Sequence, residues 1–101
     1  VKCCQRANPD IQTFCGRVAS GDQFINSREK KNWIRDTFDA YCTEMEGAAI
    51  AQAAYLNQIP YLIVRAISDK ADDSANVDYS EFEAKAVEHS VRLMAAMLEE
   101  L

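Results

Sequence analysis

Asp69 stands where chemistry is easiest to place in this chain. It follows the apolar run 60–67, PYLIVRAI, with only Ser68 between them. A carboxyl leaving a dry strand for a cleft is a candidate general acid, because desolvation favours its protonated form. Glu46 is a second candidate, at the start of the Ala-rich stretch EGAAIAQAAYLN. Free backbone N–H groups and the dipole at a helix start favour an ionised carboxylate there. Such a group only accepts hydrogen bonds, which suits vicinal hydroxyls such as those of a ribose. Each has a plainer reading: Glu46 as an ordinary helix-terminal charge, Asp69 as a loop-capping residue. Phe24, Ile25, Met45 and Tyr79 flank these acids and read equally as core. Arg65 lies inside the apolar run and must be paired, since an unpaired buried charge is costly. Glu46, Glu44 or an acid outside this chain are its candidate partners.

These residues need elements to hold them. Strand candidates cover 13–20, 39–45 and 60–67, the last a continuous apolar run that predicts burial on both faces. Helix patterns cover 27–38, 46–57 and a C-terminal stretch from about 78–80, where Asp78 with Glu81 and Ser80 with Glu83 form overlapping capping boxes. The 46–57 helix is apolar nearly all round and predicts burial. In the last helix, positions 79, 82, 86, 87, 91, 94, 98 and 101 form the expected apolar stripe. The order strand-helix-strand-helix-strand-helix predicts an α/β fold with neighbouring strands parallel. Ser20-Gly21-Asp22, Met45-Glu46 and Ser68-Asp69 then meet at the carboxyl ends of the strands, where such sheets bind ligands.

Composition excludes several classes. The 101 residues carry a net charge of −5, with 49% apolar and 27% charged residues, which allows one globular domain at most. That charge argues against nucleic acid, and Lys30-Lys31 is the only doublet of Lys or Arg. No apolar run approaches the ~18 residues of a membrane span. Cys3, Cys4, Cys15 and Cys42 form no C-x-x-C pair and His89 is the single histidine, so reduced thiols are expected and no metal site. No Gly-rich nucleotide loop is present. The opening VKCCQRANPD carries no signal-peptide core and begins no strand or capped helix; it reads as the continuation of a longer protein.

Three segments, SGDQFI at 20–25, EMEGAAIA at 44–51 and VRAISDKAD at 64–72, occur in this order. Together they resemble the C-terminal part of the 5′-methylthioadenosine/S-adenosylhomocysteine nucleosidases, within the purine nucleoside phosphorylase superfamily. The resemblance runs from about Thr13 to Leu101 and implies part of a three-layer α/β/α domain. It implies that Asp69 is the general acid toward adenine N7, with Ser68 supporting it. Phe24 would stack on the adenine and Ile25 would present backbone groups to its edge. Glu46 would bind the ribose 2′- and 3′-hydroxyls and Met45 would pack on the sugar. Tyr79 replaces the family's usual Phe in the 5′-thioalkyl pocket. It further implies a cytoplasmic homodimer in methionine salvage and nucleoside catabolism, acting on an adenine nucleoside without a cofactor.

The resemblance also implies an N-terminal half that supplies the glutamate activating the attacking water. No residue of this chain replaces it, so residues 1–101 are expected to be an incomplete domain, inactive alone and prone to self-association through the 60–67 edge. Alternatives are a purine nucleoside phosphorylase, a hydrolase of aminodeoxyfutalosine, or a non-catalytic folding or assembly module.

Overall fold

The computed structural model describes residues 1–68 and 80–101. The elements run α1 (Lys2–Ala7), β1 (Arg17–Ser20), α2 (Arg28–Phe38), β2 (Ala40–Glu44), α3 (Gly47–Leu56) and α4 (Ser80–Glu99). They fall into two compact units, residues 16–77 and residues 1–15 with 78–101.

In the first unit β1 and β2 pair in parallel, joined through α2. Val18, Ala19 and Ser20 lie opposite Cys42, Thr43 and Glu44. The register slips between Arg17 and Val18, which leaves Tyr41 as an extra residue on β2. Its ring lies over Gly16, where an added Cβ would come 2.4 Å from the ring carbon Cγ. The ladder extends through the Gly21 N–H, which donates to the Glu44 carbonyl at 3.1 Å. Parallel pairing therefore brings the carboxyl ends of β1 and β2 side by side, as the sequence pattern predicts.

Helix α2 starts at Ser27, whose extended backbone and side-chain oxygen accepting from the Lys30 N–H form a cap. It stops at Asp39, which adopts a left-handed conformation at φ 52° and donates its N–H to the Arg35 carbonyl. Asp tolerates this region better than a branched residue does. Ile34 is half-buried, while Trp33 and Phe38 stay exposed and meet edge to face at 5.8 Å between ring centroids.

Two expectations for this unit fail. Residues 61–68 form no strand, and Leu62 is 71% exposed. An apolar run becomes a strand only when a neighbouring strand takes its backbone groups, and among the described residues the sheet holds only β1 and β2. Likewise α3, predicted to be buried, exposes Ile50, Tyr55 and Leu56. It packs on β1, and the described sheet is too narrow to cover its other flanks.

In the second unit α1 packs against α4. The sequence gives α1 no capping signal, and its N-cap Val1 makes no side-chain bond. Asn8 closes it instead: its N–H donates to the Cys4 carbonyl at 2.8 Å and its amide Nδ2 to the His89 carbonyl on α4 at 3.0 Å. His89 Nε2 lies 3.0 Å from Asp10 Oδ2. The covered side of α4 runs through half-buried Phe82, Ala86 and His89 and buried Leu93 rather than the full predicted stripe, and Val87, Val91, Met94 and Leu98 face solvent. A six-residue α1 is too short to cover both sides of that stripe. The capping boxes at Asp78–Glu81 and Ser80–Glu83 lie outside the described side chains. All four cysteines are free.

Removal of the Ser27 cap by Ser27→Ala should lower unfolding stability by about 1 kcal/mol. A shift of the urea midpoint with unchanged slope would register it.

Candidate functional site

The carboxyl ends of β1 and β2 open onto a cleft of about 510 Å³ in the first unit. Phe24, Ile25, Met45, Glu46 and Ser68 all line it, with Glu44 and Arg65 beside them. Five of the seven residues given substrate or catalytic roles by the resemblance thus line one cleft. Asp69 and Tyr79 lie outside the described residues; Asp69 follows Ser68 directly. Ile25 is 8% exposed and seated, whereas Phe24 and Met45 turn apolar surface outward.

The floor of the cleft is a carboxylate that the sequence reading treated only as a partner for Arg65. The Glu44 side chain is 7% exposed. It ends β2 one turn before α3, and its two oxygens take the first N–H groups of that helix. Gly47 N–H donates to Oε1 at 2.9 Å and to Oε2 at 2.7 Å, and Glu46 N–H donates to Oε2 at 3.2 Å. The carboxylate lies so close over Gly47 that a Cβ there would come 2.7 Å from Oε1. Ser20, paired with Glu44 across the sheet, accepts the next helix N–H, from Ala48, at 2.9 Å and hydrogen-bonds the carboxylate. A helix start normally leaves such donors unmet; here the two strand ends satisfy them.

Arg65 reaches the same carboxylate from the 60–67 segment, with Nε at 3.2 Å and Nη2 at 2.5 Å from Oε2. Its Nη2 also donates to Glu46 Oε2. The pairing required of a charge in that run is thus met twice, by Glu44 and by Glu46. Glu46 itself makes no bond to the α3 N–H groups. The expectation that the helix start would hold its carboxylate is replaced: Glu44 and Ser20 occupy those donors and Glu46 turns to the guanidinium. Its side chain remains 66% exposed toward the cleft.

Burial pushes the Glu44 carboxyl up, but the Arg65 guanidinium, the Ser20 hydroxyl and the Gly47 and Glu46 N–H groups outweigh it and hold the group at about 2. A carboxyl so held stays ionised at neutral pH and donates no proton. Glu44 is therefore excluded as a general acid, and among the described residues no cluster of acids, His and Cys has the arrangement of a metal site. The sequence signal for Glu44 was slight: one acid in an alternating strand, two residues before another acid and three before a glycine.

A parallel α/β unit with a cleft at its strand ends has the architecture of the nucleoside-phosphorylase-like class. The chain matches the phosphorylase superfamily over residues 1–100 and belongs to that family. It is 39% identical over 99 residues to the 5′-methylthioadenosine/S-adenosylhomocysteine nucleosidase of Bacillus cereus strain B4264, a match spanning 97% of this chain and 43% of that protein. The nucleosidase of Bacillus thuringiensis strain Al Hakam is 38% identical with the same coverage. Among solved structures, the futalosine hydrolase of Helicobacter pylori strain 26695 superposes with a TM-score of 0.84 at 33% identity, over 99% of this chain and 44% of that one. The chain therefore spans less than half the length of these relatives. Among the described residues no helix is long and apolar enough to cross a membrane.

The depressed Glu44 carboxyl makes stability depend on acid. Its folded value lies below the ordinary one, so its contribution is complete above the ordinary glutamate range and is lost as pH falls toward about 2. The full effect is roughly 3 kcal/mol. Unfolding midpoints measured from pH 6 down to pH 2 should fall steeply below about pH 4.5, and Glu44→Gln should flatten that fall.

Proposed function

We propose that this chain carries the base- and sugar-binding side of a nucleosidase that cleaves the N-glycosidic bond of 5′-methylthioadenosine and S-adenosylhomocysteine. The observation that carries this reading is the convergence of Phe24, Ile25, Met45, Glu46 and Ser68 on one cleft. The activity of the Bacillus nucleosidases that the chain resembles supports the substrate class. The nucleosidase and hydrolase relatives favour water over phosphate as the nucleophile.

The chemistry follows from the roles. Adenine enters against the exposed Phe24 ring, and Ile25 closes the edge of the base site. Glu46 accepts the 2′- and 3′-hydroxyls, each a charge-assisted bond. As the C1′–N9 bond breaks, its electron pair moves into the purine and positive charge grows on the sugar. Asp69 gives its proton to N7, which neutralises the leaving base. The Glu46 carboxylate beside the sugar favours the developing positive charge. Water completes the reaction at C1′, losing a proton to a base outside the 101 residues. This chain alone therefore holds the acid side and not the water-activating side.

A chimera tests the reading. The chain replaces the corresponding 99 residues of the Bacillus cereus nucleosidase, and adenine release is followed. The chimera should hydrolyse 5′-methylthioadenosine, and Asp69→Asn should slow it by ~10²–10⁴. Undiminished release in Asp69→Asn would sink the acid assignment. Calorimetry on the 101-residue chain should show weak adenine binding that disappears in Phe24→Ala. A compact oligomer with no affinity for adenine or any nucleoside would instead favour an assembly module.

A further inference from the structure

A carboxylate that binds two hydroxyls works only if it is held at a fixed point. Glu46 is largely exposed and makes no capping bond to its own helix. Two things fix it: the main chain at the start of α3, and the Arg65 guanidinium bound to its Oε2. Both are anchored on Glu44. The N–H of Glu46 and the N–H of Gly47 end on the Glu44 carboxylate, as do Nε and Nη2 of Arg65.

We propose that Glu44 is the positioning residue of the hydroxyl-binding site, holding the main chain and the guanidinium that together place Glu46. It thereby sets the preference of the site for ribonucleosides over their 2′,3′-dideoxy counterparts. The inference rests on the reading of Glu46 as the ribose-binding carboxylate.

The donor pattern makes the requirement specific. Oε1 faces the Gly47 N–H, and Oε2 faces the Gly47 and Glu46 N–H groups and Arg65. Every partner is a donor, so a carboxylate, an acceptor at both oxygens, satisfies the cradle without conflict. An amide of identical shape must turn its NH₂ toward one side or the other. With the NH₂ at the Oε2 place it opposes Arg65 together with the Glu46 and Gly47 N–H groups; with the NH₂ at the Oε1 place it opposes the Gly47 N–H, and the neutral carbonyl holds Arg65 without the charge that strengthens the bond. Burial allows little relief by water. The defect is therefore local to Glu46 and leaves the adenine contacts of Phe24 and Ile25 in place.

The test compares adenosine with 2′,3′-dideoxyadenosine by calorimetry on the intact chain, and by inhibition of the chimera. The unsubstituted protein should prefer adenosine by about tenfold or more. Glu44→Gln should bring that ratio near unity while the affinity for 2′,3′-dideoxyadenosine is unchanged. A ratio that persists in Glu44→Gln overturns the proposal, as does an equal weakening of both nucleosides, which marks a merely structural role. If the unsubstituted protein shows no preference, the ribose role of Glu46 fails first and this proposal falls with it. If Glu44→Gln does not fold, Ser20→Ala loosens the same carboxylate by one hydrogen bond and should reduce the ratio partway; an unchanged ratio there overturns the proposal.

Discussion

The contact between the buried Glu44 carboxylate and the start of α3 organises the rest of this chain. It joins the sheet to the helix, because Glu44 ends β2 while Gly47 begins α3. It joins β1 to both, through Ser20 on the opposite strand and the Ala48 N–H. It joins the 60–67 segment to all three through Arg65. Four elements, from three separate stretches of the sequence, meet on two oxygen atoms. Burying a carboxylate is costly unless donors surround it, and here they are numerous enough to overcome desolvation. A neutral side chain at this position would remove the charge that strengthens the bonds from the helix start and the guanidinium.

The same contact explains why the cleft exists in a chain with so little covered surface. Outside it, apolar groups are widely exposed, on α3, along 61–67 and on one side of α4. Hydrophobic burial among the described residues is confined to a few positions, Ile25 and Leu93 foremost. The arrangement at the strand ends is instead directional, built from charge-assisted hydrogen bonds with defined partners. Polar geometry can thus be specified by a handful of residues where the surrounding core is thin.

Much of this was legible in the residues. The capped helix from Ser27, the parallel pairing of the first two strands and the positions of Phe24, Ile25, Met45, Glu46 and Ser68 follow from periodicity, cap chemistry and motif order. Arg65 could be assigned acidic partners because a charge inside an apolar run admits no other arrangement. What was illegible depended on neighbours. The 60–67 run has the composition of a buried strand, yet composition cannot supply the adjacent strand that its backbone needs. The α4 stripe named apolar positions but not which of them a short α1 would cover. Glu44 escaped because one acid in a strand carries no mark of burial until Gly47 and Ser20 are seen beside it.

Arg65 gives the exposed 60–67 segment a second meaning. Its guanidinium belongs to the cleft, while its backbone belongs to a stretch that no strand among the described residues pairs. Order in that stretch and order in the cleft are therefore thermodynamically linked. Whatever covers the segment restricts Arg65 and stiffens the carboxylates it bridges. Conversely, a ligand that draws on Glu46 shifts the balance of the stretch that carries Arg65. The affinity of the cleft is in this sense a gauge of how well that stretch is covered.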